Sequence, residues 1–320
     1  MMNRFLYPIV YSVFYCISLL PWCVIYALAD VAWVLVYLVV GYRRKVVRKN
    51  LSLSFPEKTE EERRQIERRF YRWLCDYFLE TVKLLSMSRE DMLRHIEFRG
   101  AEEMEKCFDE GQACAAILGH YCNWEYLSAT ALAWKRHTEA VAGLIYHPLY
   151  NKIFDRLFID MRSQMGGTCI PKKDILRYLL TYKREGRMSL FGYIADQSPK
   201  WENIHLWLNF MNQDTPVFTG GERIMRKMNN AVFYVDMQRP RRGKYICTFQ
   251  LITRDPNALE EFGITKRFFE LLEQTIRRQP EFYLWTHNRW KRTHEEFDHL
   301  FKVENGRIVL RSANNTPSQP

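Results

Sequence analysis

The chain has 320 residues, of which 47% are hydrophobic and 15% aromatic, and its formal net charge is +10. This composition supplies a full core for one large domain, with or without appendages, and excludes a disordered chain. The eight cysteines show no C-x-x-C pair and no regular spacing, so they indicate neither a disulfide framework nor a zinc ribbon, and a reducing compartment fits better.

A long apolar segment lies near the amino terminus. Between residues 9 and 41 the only formal charge is Asp30, and residues 22–40 alone would span about 28 Å as a helix, close to the thickness of a bilayer core. The stretch is too long for a signal peptide and no small-residue cleavage site follows it. We therefore predict a membrane anchor at residues 1–42, and Pro21 leaves open either one kinked span or a shallow helical hairpin.

Basic residues follow the anchor. One arginine, Arg4, precedes the apolar segment, whereas five basic residues come directly after it: Arg43, Arg44, Lys45, Arg48 and Lys49. By the positive-inside rule this asymmetry places the main domain, predicted at residues 43–312, in the cytoplasm. The same cluster can bind anionic lipid headgroups.

The next predicted element is a long helix from residue 59 to about residue 86. Its apolar residues recur at helical spacing, and Thr59 with Glu62 fits a capping box. Its many charges are typical of a solvated helix face with ion pairs. We expect no nucleic-acid partner, because no stacking platform or groove-reading motif accompanies this charge.

The central motif of the chain is residues 113–125, A-C-A-A-I-L-G-H-Y-C-N-W-E. Residues 113–118 are almost free of polar groups and precede Gly119, which predicts a buried strand that ends in a turn. Asn123 is then positioned to cap a helix that continues to about residue 134. The motif thus predicts the order strand, turn, helix.

His120 and Glu125 are the candidate catalytic pair in this motif. On one helix they would lie roughly 140° apart. With His120 in the turn and Glu125 in the first helical turn, both can line the crevice at the carboxyl end of the strand. There the carboxylate would orient the imidazole as a general base for a hydroxyl. The alternative is a turn histidine and an acid that favours the helix dipole.

Beyond this motif, strand-like and helical patterns alternate. Apolar runs at residues 140–145, 188–194, 231–237 and 245–252 predict strands, and residues 123–135, 149–164 and 172–184 predict helices. The alternation predicts an α/β fold with a mixed, mostly parallel sheet and helices on both faces. Residues 313–320 are predicted to form a disordered tail.

The order of motifs resembles that of the lipid A biosynthesis late acyltransferases, within the lysophospholipid acyltransferase superfamily. H-Y-C-N-W-E resembles their H-x4-D/E signature, and the resemblance extends over about residues 5–292. It is carried by these further segments: K-N-L at 49–51, F-P-E at 55–57, P-L at 148–149, R-x-x-x-G at 162–166, D-Q at 196–197, T-x-x-x-G within 215–220, and P-x-x-x-x-W-x-H-x-R-W at 280–290. The chain departs from the family where Cys122 stands in place of a frequent Gly and His147 in place of a frequent Asn.

The resemblance implies roles for particular residues. His120 would be the base, and Glu125 its orienting partner. A second group would bind substrate: Asn123, Arg162, Asp196, Gln197 and Gly220. Arg156 competes with Arg162 as the phosphate-binding cation, and backbone N–H groups near Asn123 are candidate oxyanion donors.

The implied reaction is transfer of a fatty acyl chain from acyl-acyl carrier protein to a hydroxyl of a lipid A precursor, at the cytoplasmic face of the bacterial inner membrane, with no metal or cofactor. The net charge of +10 fits anionic lipid and an acidic carrier protein. Two alternatives remain. One is acylation of another membrane lipid, namely a lysophospholipid, glycolipid or aminolipid, and the other is a non-catalytic lipid-binding scaffold.

Two further patterns suggest other chemistry. Cys122 lies two residues from His120 and suggests a Cys–His nucleophile, which we disfavour because small buried cysteines are common. The segment H-E-E-F-D-H at 294–299 misses H-E-x-x-H by one residue, so its histidines cannot share a helix face and we reject a zinc site.

Overall fold

The computed structural model describes residues 6–304 and 307–311. The α-helices are α1 Leu6–Leu19, α2 Trp22–Trp33, α3 Arg44–Ser54, α4 Glu60–Lys83, α5 Arg89–His95, α6 Ala101–Asp109, α7 Lys152–Ser163, α8 Ile175–Arg184, α9 Gly220–Met228, α10 Gly263–Arg278 and α11 His294–Leu300. The strands are β1 Ile96–Arg99, β2 Cys114–Leu118, β3 Val141–Tyr146, β4 Thr168–Pro171, β5 Ser189–Ile194, β6 Trp207–Phe210, β7 Gln213–Pro216, β8 Ala231–Arg241, β9 Lys244–Thr253, β10 Phe301–Glu304 and β11 Arg307–Leu310.

A seven-stranded sheet in the order β1-β9-β8-β2-β5-β3-β4 forms the centre of the fold. Strands β8, β2, β5, β3 and β4 run parallel, and β9 is antiparallel to β8 and parallel to β1. Strand β2 is buried along its whole length, as a central strand covered on both faces must be. The prediction of a mixed, mostly parallel α/β sheet is confirmed.

The four predicted strands correspond to β3, β5, β8 and β9, and the predicted central strand to β2. The short strands β1 and β4 escaped prediction because four residues are too few to show a period of two. One predicted helix was wrong in type: Trp124–Ala133 forms a 3₁₀ helix rather than an α-helix. Residues 172–184 divide into a 3₁₀ turn, Lys172–Asp174, and α8.

The amino-terminal apolar segment forms two helical pieces separated at Pro21. Helix α1 ends at Leu19, and α2 continues into a π-helical stretch, Val34–Val40. By length and composition, Trp22–Val40 could cross a membrane. In its most apolar stretch of 18 residues, only 11% is buried inside the protein. Both α1 and α2 pack on α4. The domain boundaries remain predictions, and Arg4 and the predicted tail at 313–320 lie outside the described residues.

Helix α4 connects the apolar helices to the sheet. Its predicted capping box is present, since the Thr59 side chain accepts from Glu62 N–H and the Glu62 carboxylate accepts from Thr59 N–H. Toward its carboxyl end Asp76 and Glu80 are buried. Asp76 binds Arg242 of the β8–β9 turn, and Arg242 also binds Asp30 of α2 at 2.9 Å. Because buried charges need partners, this network fixes α2, α4 and the end of β8 to one another.

Candidate active site

The candidate site lies where β2 and β5 end side by side. The register pairs Leu118 of β2 with Ile194 of β5, and Ala195 N–H donates to the Leu118 carbonyl at 3.0 Å. His120 and Asp196 each follow their strand by two residues. Parallel pairing therefore brings together two residues that are 76 positions apart in the chain.

His120 makes two polar contacts through its two ring nitrogens. Its Nδ1 is 2.7 Å from Asp196 Oδ1, and its Nε2 is 3.2 Å from the side-chain amide nitrogen of Gln197. A carboxylate at Nδ1 can only accept, so it selects the tautomer with the proton on Nδ1. Nε2 then carries the lone pair, and the Gln197 amide donates to it. This is the form that accepts a proton.

Asp196 is buried, with 3% of its side chain exposed, whereas 19% of the His120 side chain is exposed. Burial alone would raise the pKa of Asp196. The charge and hydrogen bonds of His120, together with the charge of Arg289, outweigh burial and hold that pKa below its ordinary value. Asp196 thus stays ionised as the acceptor for Nδ1–H.

Glu125 does not orient His120, which corrects the sequence-based expectation. Its carboxylate accepts two hydrogen bonds from Arg162, from Nε and Nη2, each 2.7 Å long. Glu125 is buried, and Tyr77 hydroxyl donates to it at 3.4 Å. The 3₁₀ helix turns its carboxylate toward α7, and Asp196 takes the position beside His120. The Glu125–Arg162 pair fastens the 3₁₀ helix to the end of α7.

Arg162 and Arg156 occupy different settings on α7. Two N–H groups of Arg162 are engaged by Glu125, and its side chain is 21% exposed. The pKa of Arg162 is raised, since the hydrogen bonds and charge of Glu125 outweigh the opposing effect of burial. Arg156 is exposed and lies 3.9 Å from Asp160. Phosphate binding by either arginine remains a prediction.

Asn123 does not cap the following helix, which corrects a second expectation. Its side chain is fully buried, and its amide nitrogen donates to Glu80 Oε2 at 2.9 Å. Glu80 also accepts from Tyr245 hydroxyl at 2.5 Å. Burial raises the pKa of Glu80, against the opposing effect of Arg239 and these hydrogen bonds. Asn123 thus ties the motif to α4, and direct substrate contact by its side chain remains a prediction.

The turn that carries His120 is held from the opposite side by residues 282–284. Cys122 N–H donates to the Phe282 carbonyl at 2.8 Å, and Leu284 N–H donates to the His120 carbonyl at 3.2 Å. Gly119 permits α10 to approach the turn closely, because a Cβ there would lie 2.8 Å from a Leu272 methyl group. The backbone of the turn is therefore fixed on both edges.

Cys122 adopts a left-handed backbone conformation with φ of +56°. Glycine takes this conformation most readily, which gives a physical reason for the frequent Gly of the resembling family at this position. The thiol is completely buried, and burial raises its pKa well above the ordinary value. Since the thiolate is the nucleophile, this environment argues against a Cys–His mechanism.

Motifs that lie far apart in the sequence meet next to the site. Asn50 of the K-N-L segment donates to the carbonyls of Trp285 and His287 at 2.8 and 2.9 Å. Arg289 donates to the Pro216 carbonyl at 2.6 Å, and Trp290 donates to Thr215 hydroxyl at 2.8 Å. The W-x-H-x-R-W segment therefore joins α3 and β7 behind Asp196. In the sequence these residues are markers of resemblance only, since their spacing gives no sign of contact.

Gly220 begins α9, with open space beside its Cα. His294 begins α11 and its Nδ1 lies 2.9 Å from Asp214. Within residues 6–304 and 307–311 no group of three or more His, Cys, Asp or Glu side chains is arranged to hold a metal ion. What the structure shows at the site is a partly exposed histidine whose Nδ1 contacts a buried carboxylate.

Comparisons with known proteins identify the family. The sequence model for the family described as bacterial lipid A biosynthesis acyltransferase matches residues 1–292. A lipid A biosynthesis lauroyltransferase of Escherichia coli K12 is 24% identical over 278 residues, which cover 85% of this chain and 87% of that protein. A lipid A biosynthesis acyltransferase of Haemophilus influenzae is 23% identical over 77% of this chain and 76% of its own. Lipid A biosynthesis acyltransferase 2 of Shigella flexneri is 20% identical, with 74% of each chain covered.

Proposed function

The chain belongs to the bacterial lipid A biosynthesis acyltransferase family and is an acyltransferase, and we propose that it transfers a fatty acyl chain from acyl-acyl carrier protein to a hydroxyl of a lipid A precursor. The observation that carries the proposal is the contact of 2.7 Å between His120 Nδ1 and the buried Asp196 carboxylate. This contact leaves Nε2 as a proton acceptor at the carboxyl edge of the sheet.

In the proposed mechanism the acceptor hydroxyl replaces the Gln197 amide at His120 Nε2. The imidazole removes the hydroxyl proton as the oxygen attacks the thioester carbonyl carbon. Asp196 stabilises the imidazolium that forms, without taking the proton itself. Collapse of the tetrahedral intermediate breaks the C–S bond, and the imidazolium returns the proton to the departing thiolate. The products are an ester and the free thiol of the carrier, and no acyl-enzyme forms.

Other residues are assigned supporting roles. Gln197 would keep His120 Nε2 hydrogen-bonded, and the ring oriented, until the acceptor binds. Glu125 and Arg162 would hold the 3₁₀ helix in place, so that backbone N–H groups near Asn123 can face the developing oxyanion. The open amino terminus of α9 at Gly220 would accept an anionic group of the substrate, since helix N-termini favour negative charge.

The proposed location is the cytoplasmic face of the bacterial inner membrane. It is supported by the exposed apolar helix Trp22–Val40 and by the basic residues that follow it at 43–49. Cations in this region also suit an acidic carrier protein, whose approach would be accelerated at low salt. Two helices separate at Pro21, which fits both the kinked single span and the shallow hairpin.

The test is a mass spectrum of the Kdo-bearing lipid A precursor after incubation with acyl-acyl carrier protein and either the native protein or His120→Ala. The proposal expects a mass gain of one acyl group with the native protein and none with the variant. An unchanged precursor, combined with acylation of another component of total membrane lipid, would replace the proposed acceptor. Equal gains with both proteins would refute His120 as the base.

A further inference from the structure

The loop between β3 and α7, residues 147–151, exposes apolar side chains at the carboxyl edge of the sheet. Tyr150 is fully exposed, and Leu149 is 41% exposed. Phe154, in the first turn of α7, is 40% exposed. Strand β3 is the neighbour of β5, so this loop leaves the sheet at the same edge as Asp196. Clustered apolar exposure of this kind marks an interaction surface.

The loop is presented in a fixed shape. Leu149 N–H donates to Asp155 Oδ1 at 2.7 Å. The Asn151 side chain caps α7 by accepting from Ile153 N–H at 3.0 Å and from Phe154 N–H at 3.4 Å. Because these backbone N–H groups already have acceptors, transfer of the loop tip from water to a membrane costs less free energy than it would for a loop with unpaired N–H groups.

The exposed side chains of the loop and of Phe154 lie next to the apolar surface of α1. The Phe154 ring packs edge-on against Phe14 of α1, with centroids 6.2 Å apart. Tyr7 of α1 donates to Asp160 of α7. The outward side of α1 is itself apolar, with Ile9 61% exposed. Helix α1 and the loop therefore present one apolar face.

The same edge of the sheet also contacts α2. Arg242, in the turn that follows β8, binds Asp30 of α2 and stacks on Tyr26 at 4.5 Å. Strand β8 is parallel to β2, so this turn lies on the carboxyl side of the sheet, further along the strand direction than His120. Two separate elements of that edge thus contact the amino-terminal helices, which indicates that the active-site edge faces the membrane.

We propose that the β3–α7 loop inserts into the bilayer surface beside α1 and forms a second membrane contact. The occupant of this face is phospholipid, because the apolar face is continuous with the membrane helices and is flanked by the exposed cations Lys152 and Arg156, which suit anionic headgroups. The acceptor lipid then reaches His120 from this side of the bilayer, a step that rests on the proposed function.

The direct test places an environment-sensitive fluorophore on Tyr150→Cys in the full chain, with the two exposed cysteines, Cys16 and Cys23, replaced by Ser. The protein is reconstituted in vesicles of phosphatidylethanolamine and phosphatidylglycerol that contain lipids with a quencher on the acyl chain. The control is Leu251→Cys, since Leu251 is an apolar side chain that is likewise exposed, at 41%, but lies toward the opposite edge of the sheet.

The proposal expects a blue-shifted, quenched label at position 150 and a water-exposed, unquenched label at position 251. Equal exposure of both labels to water overturns it. Protection of position 150 only after acyl carrier protein is added also overturns it and assigns the loop to a protein partner.

A second test uses activity. Tyr150→Asp is expected to raise the apparent KM for acceptor presented in vesicles by about tenfold, since one large buried apolar side chain contributes about a factor of ten or more to partitioning. The KM for acceptor dispersed in detergent and the kcat should stay unchanged. An equal rise in both presentations would make the loop a substrate contact and overturn the proposal. If the native protein acylates no lipid A precursor, the proposed function fails, but the fluorescence result still decides the membrane contact.

Discussion

Replacement of Asp196 by asparagine isolates the contact on which the proposed mechanism depends. Asp196→Asn keeps the size of the side chain and removes its charge. The amide can donate to His120 Nδ1, which would move the ring proton to Nε2 and abolish the base. Even with the correct tautomer, the imidazolium formed during the reaction would lose its counterion.

The distance in the structure sets the size of the effect. Two unit charges separated by the observed 2.7 Å attract one another by about 6 kcal/mol at an effective dielectric constant of about 20. The amide dipole and rearranged solvent offset part of this energy, so we expect a net loss of about 3 to 4 kcal/mol in the transition state. That loss corresponds to a fall in kcat of about 10²-fold to 10³-fold.

The assay is steady-state transfer from acyl-acyl carrier protein, with substrate concentrations varied so that kcat and KM separate. The fall should appear in kcat, because Asp196 acts on the charge that develops at His120 rather than on ground-state binding. Thermal unfolding provides the folding control. A kcat within about threefold of the native value, in a folded variant, would refute the assignment of Asp196.

The same variant has an expected pH signature in stability. The pKa of Asp196 is held below its ordinary value of about 3.9. Its carboxylate therefore stabilises the native state above about pH 4, and this contribution is lost as the pH falls through the lowered pKa. Asp196→Asn should be less stable than the native protein at neutral pH, and the two should converge on acidification.

Three further predictions follow from the neighbouring contacts. Glu125→Gln and Arg162→Gln should each lower the free energy of unfolding by about 3 kcal/mol, because each leaves a buried charge unpaired. In denaturant titrations the double variant should lose less stability than the sum of the two single variants. Additive losses would contradict a coupled pair. Cys122→Ala should retain kcat within about threefold, and abolished turnover in a folded variant would restore the Cys–His mechanism. Burial lowers the pKa of His287 to about 4. The charge of Asp196 opposes this shift, and the positive charges of three neighbours add to it: Arg289, His120 and Lys291. The unfolded state takes up its proton first, so native stability should fall from about pH 6.5 to pH 4, by about 2 kcal/mol after allowance for partial exposure. His287→Gln should reduce this slope in unfolding measured across that range, and an unchanged slope would contradict it.

Local patterns were sufficient for the longer strands and for the start of α4. The unbroken apolar run at 113–118 and the runs that became β3, β5, β8 and β9 are long enough to show burial, and Thr59 with Glu62 specifies a helix start by its own hydrogen bonds. The same sequence identified His120 and the D-Q pair at 196–197 as candidates. The strand, cap and His120 signals are local, because each depends on neighbours within a few residues, whereas the D-Q pair was identified through the resemblance over about residues 5–292.

Pairing among the candidates was decided by tertiary structure alone. Glu125 is five residues from His120 and was expected to orient it, yet the 3₁₀ geometry turns its carboxylate to Arg162, and the parallel register of β2 and β5 brings Asp196 to His120 instead. Likewise Asn123 binds Glu80 rather than its own helix. The sequence determined which residue types end each strand, but strand order and register, set by packing of the whole sheet, determined which of them touch.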